Sequence, residues 1–212
     1  LLAVAVAEGE SGDLELVRAR RELGSHLGQR HKARGARADL DQAILLLDVP
    51  SDQLPERERA DAQNDLALAL KQRWACDGDP ADLDRAIAVL RAVVDQEQAS
   101  ATGGPSGVVI GNLGTFLNER FRERGDIADL DLALRYTEAA LDRYPPGHRH
   151  RNGYAGNLAA RHLLRFLFTG DDAAADAAVA LMRAVVDSTG ARDSLRSTRL
   201  ANLGVVLMTI GH

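Results

Sequence analysis

Four arginines, each followed by an aromatic or imidazole ring, recur along this chain at nearly constant spacing. They are Arg30-His31, Arg73-Trp74, Arg120-Phe121 and Arg165-Phe166, at intervals of 43, 47 and 45 residues. A glycine stands five residues after each arginine, at Gly35, Gly78, Gly125 and Gly170, and three of these lead directly into Asp79, Asp126 and Asp171. The next segments open Asp39-Leu-Asp, Asp82-Leu-Asp and Asp129-Leu-Asp, while the fourth has decayed to Ala174-Ala-Asp. Eight residues before each arginine lies a polar residue, then Leu, then Gly or Ala: Glu22-Leu-Gly, Asp65-Leu-Ala, Asn112-Leu-Gly and Asn157-Leu-Ala, with Asn202-Leu-Gly beginning one more. So many linked positions over four copies make an internal repeat, and a period near 45 residues argues for an array of stacked units.

Within each copy the apolar residues fall at helical spacing. Leu40, Ala43, Ile44 and Leu47 share one face, as do Leu83, Ala86, Ile87, Leu90 and Val94. Aromatic residues are only 4% of the chain, and Ala and Leu dominate the apolar set, which suits thin helical layers. No segment shows a convincing strand pattern. The expected units cover about 13–50, 56–99, 105–145 and 149–189, with an unpaired helix over 191–210, all within one repeat domain spanning 1–212. Asp77-Gly-Asp-Pro80 predicts a turn in which glycine supplies positive φ, Asp79 caps and Pro80 takes the first helical position. Proline stops are expected at 49–55 and at Tyr144-Pro-Pro-Gly, and residues 99–107 form a loop by composition. The apolar start, LLAVAVAEGESGD, is too short to span a membrane and reads as the last turns of a helix, so the sequence is expected to be part of a longer protein.

Two amphipathic helices joined by a tight turn cannot bury both faces alone, so consecutive pairs must stack. The small residue after each Leu fits a close helix crossing. Leu113, Leu117 and Phe121 are expected to face the second helix of their pair. These units resemble tetratricopeptide repeats, in the long form found upstream of CHAT domains, the caspase-like peptidase domains of many actinobacterial and fungal multidomain proteins. The residues that carry the resemblance are Asn112-Leu-Gly, Leu117, Arg120-Phe121, Gly125-Asp126, Asp129-Leu-Asp, Ala139-Ala-Leu and Pro145. The period exceeds the ordinary repeat of about 34 residues, and Ala174 departs from the pattern. The resemblance implies an all-α, right-handed αα superhelical solenoid and a noncatalytic role in holding a protein or peptide partner, with an effector domain attached. The alternative is a structural spacer or self-association module that uses exposed terminal helices.

The formal charge of -5 comes from 26 basic and 31 acidic residues in close interspersion, which gives no global pull toward nucleic acid or membrane. The single cysteine, Cys76, excludes an internal disulfide and points to a reducing, cytoplasmic compartment. Candidate binding residues are the arginine row, Arg73, Arg120 and Arg165, and the polar row, Asp65, Asn112, Asn157 and Asn202. Arginine forks clamp carboxylates, but here each arginine recurs with an acid, which favours internal pairing of the kind Arg120 with Asp129 or Asp131. Asparagine amides can hold an extended peptide backbone through both donor and acceptor. The Gly-Asp turns lack the glycine run and Lys of a phosphate loop. His148, His150 and His162 lack supporting ligands for a metal, and the His148–Arg151 segment reads as a solvated basic linker. Cys76 and His31 form a nucleophilic pair only where stacking brings them together and a third group orients the ring. No catalytic residue, cofactor or metal is expected.

Overall fold

A computed structural model of the chain describes residues 14–48, 54–99 and 104–211. The expected helix end before Asp13, the proline stop at 49–53 and the loop residues 100–103 lie outside the described residues. Among those described there are nine α-helices and no strand. They are α1 (Leu14–Arg34), α2 (Arg37–Leu47), α3 (Glu56–Asp77), α4 (Pro80–Ala99), α5 (Gly107–Arg124), α6 (Ile127–Asp142), α7 (Arg151–Thr169), α8 (Asp172–Asp187) and α9 (Arg196–Ile210). The chain divides into two compact units, Leu1–Pro105 and Ser106–His212. In the first unit α1 pairs with α2 and α3 with α4, and α2 stacks on α3. In the second, α5 pairs with α6 and α7 with α8, while α6 meets α7 and α8 meets α9. This is helical-repeat packing.

The turn inside each pair follows from the Gly-Asp punctuation. Gly35, Gly78, Gly125 and Gly170 have φ of 72°, 73°, 69° and 69°, a region that a Cβ disfavours. Their N–H groups donate to the carbonyls of His31, Trp74, Phe121 and Phe166 at 2.6–2.7 Å, closing the first helix. Asp126 and Asp171 then accept from the N–H groups of Ala128 and Ala173 at 3.0 and 3.1 Å and open the second helix. Asp79 does the same for Ala81 at 3.0 Å, ahead of α4, which starts on Pro80 as expected.

The two helices of a pair cross closely at the small residue after the repeated Leu. A Cβ on Gly24 would lie 2.7 Å from Leu47 Cγ, and one on Gly114 would lie 2.8 Å from Thr137 Oγ1 and 3.2 Å from the Ala133 carbonyl. Ala67 and Ala159 take the same place in the other copies and are fully buried. The crossing brings Leu113, Leu117 and Phe121 into the core, where Phe121 packs with Leu130, Leu134, Leu141 and Leu158. Each such leucine contributes roughly 2 kcal/mol on leaving water, so the leucines together dominate the stability of the stack.

Two helix starts differ from expectation. α7 begins at Arg151 instead of Arg149, and α9 at Arg196 instead of 191. In the second case Asp193 accepts from the Leu195 N–H at 2.9 Å and holds a turn that delays the helix. Arg151 and Arg196 also share a task. Arg151 Nη1 donates to the carbonyls of Tyr144 (2.5 Å) and Leu141 (3.2 Å), and Arg196 Nη1 to those of Thr189 (2.5 Å) and Val186 (3.3 Å). Each satisfies backbone acceptors at the end of the preceding helix.

Substituting Gly114→Ala is expected to cost about 2 kcal/mol, because backbone atoms of α6 cannot move aside as a side chain can. Gly156→Ala, in α7 with open space around its Cβ, is expected to gain up to about 1 kcal/mol from helix propensity. Urea unfolding of the two variants measures the difference in sign.

Candidate binding surface

The arginine row is built into the stack. Arg30, Arg73 and Arg120 each make a two-pronged contact with the first Asp of the following helix. Arg30 Nε and Nη2 lie 2.5 and 2.6 Å from Asp39, Arg73 2.6 and 2.5 Å from Asp82, and Arg120 2.7 and 2.6 Å from Asp129. Asp82 and Asp129 are nearly buried, with 6% of each side chain exposed. Arg30 draws the Asp39 carboxyl below its ordinary range, and Asp82 raises the Arg73 guanidinium further above neutrality. The second Asp of the signature serves the next copy. Asp41 lies 3.5 Å from Arg73, and Asp131 pairs with Arg165. Arg165 also reaches Asp171 at 3.2 Å, because Ala174 has removed the acid its own pair would supply. Of the two acids considered for Arg120, the structure selects Asp129.

The polar row divides. Asp65 accepts from Ser25 Oγ at 2.8 Å and from Arg21 Nε at 3.4 Å, so it ties α3 to α1. Asn112 is half-buried and already engaged in an interaction of its own. Asn157 and Asn202 are exposed and hold no side-chain hydrogen bond among the described residues.

Several buried polar groups in the second unit were not among the expected site residues. Arg161 in α7 is only 4% exposed, and its Nη2 donates to Thr115 Oγ1 in α5 at 3.3 Å. Its Nε is buried without a partner, as are Asn118 Oδ1 in α5 and His162 Nδ1 in α7. No carboxylate forms an ion pair with Arg161 among the described residues. Burial pulls its pKa down to about 10, with Arg122 acting in the same direction and Glu119 opposing. The sequence did hold a signal: Arg161 stands where three other copies carry Ala69, Phe116 and Val206 and the first carries His26, and His162 stands where they carry Leu27, Leu70, Leu117 and Leu207.

The segment read as a solvated basic linker is largely exposed, and its rings stack on one another. The His148 ring stacks on Tyr144 at 4.6 Å, Tyr144 stacks on Tyr154 at 5.3 Å, and His150 meets the Tyr144 edge at 5.7 Å. Gly107 and Gly111 leave the room: a Cβ on either would fall within 2.7 Å of a tyrosine ring. Desolvation pushes the Tyr154 phenol up to about 12. Among the described residues no group of three or more His, Cys, Asp or Glu could hold a metal. None of the described helices is long and apolar enough to cross a membrane. Compared with known proteins, the chain matches no family profile and no curated protein sequence. The residues and their geometry therefore carry the functional argument.

Arg120→Ala strands a nearly buried carboxylate, and a loss of about 3 kcal/mol is expected. Arg165→Ala frees only half-exposed acids, 45% and 38% exposed, and a loss below about 1 kcal/mol is expected. Chemical denaturation of both variants checks the contrast. His162 is held below the ordinary imidazole value of 6.5, chiefly by burial, with Arg165 adding to the effect and Glu138 and Asp171 opposing it. Its folded form stays neutral while the unfolded form takes up a proton, so stability is lost as pH falls below the unfolded value. His162→Leu should raise stability and flatten that fall on the acid side of about pH 6.5, which thermal melts at falling pH would show.

Proposed function

We propose that the chain is a noncatalytic recognition scaffold of the tetratricopeptide kind, which holds a protein or peptide partner along its first helices. The observation that carries this reading is the division of its repeated polar residues. The arginines and acids are used up inside the stack, whereas the exposed amides of Asn157 and Asn202 are left for a ligand. A neutral amide offers one acceptor and two donors to a peptide backbone without demanding a charged partner. The resemblance to repeats that precede CHAT domains supports an attached effector, such as a caspase-like peptidase, and a cytoplasmic setting.

A second reading, self-association, is favoured by α9. Leu200, Val205 and Met208 of that helix are 46%, 58% and 81% exposed. A Cβ on Gly204, the counterpart of the crossing Gly114, meets nothing within 4 Å. Such an apolar face is suited to a further helix.

Selection of displayed peptides on the intact chain, followed by calorimetry, tests the first reading. Asn157→Ala and Asn202→Ala are each expected to weaken binding about fivefold, the size of one lost hydrogen bond. Peptides that bind equally well to both variants would overturn the amide row as the contact. Failure to select any peptide, together with a concentration-dependent dimer that Met208→Glu abolishes, would decide for the second reading.

A further inference from the structure

Stacking in the first unit meets the condition set for the chain's only cysteine. Cys76 in α3 is exposed, and its Sγ lies 3.6 Å from Nε2 of His31 in α1. The imidazole is 8% exposed, and its Nδ1 lies 2.9 Å from the Ala36 carbonyl oxygen. A carbonyl only accepts, so Nδ1 carries the hydrogen in the neutral ring and Nε2 turns its lone pair toward the thiol. Nucleophile, base and orienting group thus stand in the order that activates a thiol.

The repeat itself supplies an independent argument. His31 occupies the ring position of the arginine–ring pair, where later copies have Trp74, Phe121 and Phe166, and Cys76 lies three residues after its arginine, as Phe168 does. In the second unit the corresponding residues are Phe121 and Phe168, which meet edge to face at 5.0 Å. The scaffold brings these two positions together within each of the two units. In the first unit it has exchanged an apolar contact for a thiol and a base.

We propose that Cys76 is a reactive thiol served by His31, and a site of reversible thiolation by small disulfides. As the sulfur attacks one sulfur of the reagent, His31 Nε2 accepts the thiol proton. The reagent's S–S bond breaks and a mixed disulfide forms on Cys76. The released thiolate then takes the proton back from the imidazolium. The thiol is oxidised and the leaving half of the reagent is reduced, so no further oxidant is needed.

The test uses the full chain and the aromatic disulfide dithiobis(nitrobenzoate) at neutral pH, with Cys76→Ser as the blank. The folded chain is expected to react about tenfold faster than the same chain in urea, since only the fold supplies the base. His31→Phe puts at this position the residue that Phe121 holds in the second unit, and should keep the fold while bringing the rate down to the unfolded value. Oxidised glutathione should leave one adduct per chain that a dithiol reductant removes. A folded rate no higher than the unfolded one overturns the proposal, and so does a folded His31→Phe variant that reacts as fast as the native chain. Should that variant fail to fold, the comparison of folded and unfolded native chain still decides.

Discussion

The close crossing of two helices at one small residue is the constraint on which each unit depends. Where Gly24 or Gly114 meets the next helix, the backbones approach until a single methyl group would collide. That approach sets which side chains interdigitate, and it delivers the buried leucines to a common layer. A helix pair built this way still has an uncovered side, and the next pair provides the cover.

The charged residues follow from this geometry. A helix pair with fixed crossing and a left-handed glycine turn places the arginine near the end of the first helix beside the start of the second. A buried carboxylate there is tolerable only with a forked donor opposite. Asp82 and Asp129 are such carboxylates. Where Ala174 removes the acid, the arginine turns outward to Asp131 and Asp171. The same arginine type therefore fastens its own pair in every copy, and Arg73 and Arg165 also reach an acid of the preceding pair. Arg161 differs: it takes a position that three of the other copies fill with apolar groups, and it is buried without a carboxylate.

Much of the architecture was legible because it depends on local chemistry. Gly125 and Asp126 specify a turn whatever surrounds them, and the Leu113 and Leu117 spacing specifies a buried face. The helix boundaries agreed within a few residues except at α9, where the Asp193 side chain holds a turn that competes with the helix. The linker of His148 and His150 is largely exposed as expected, but polar composition says nothing of its ring stacking on Tyr144. The candidate site was less legible. Asn157 and Asn202 proved exposed, but Asp65 is held by Ser25 and Arg21, residues about 40 positions earlier.

By itself, the sequence determined the repeat, the helix pairs, the turns and the small residues at the crossings, since each is written in spacing and in residue-level conformational preference. Tertiary structure alone decided which acid each arginine would take, which amides remained open, and that Cys76 would stand against His31. Periodicity fixes the face on which a side chain lies, but a partner on another helix is chosen by how the two backbones cross.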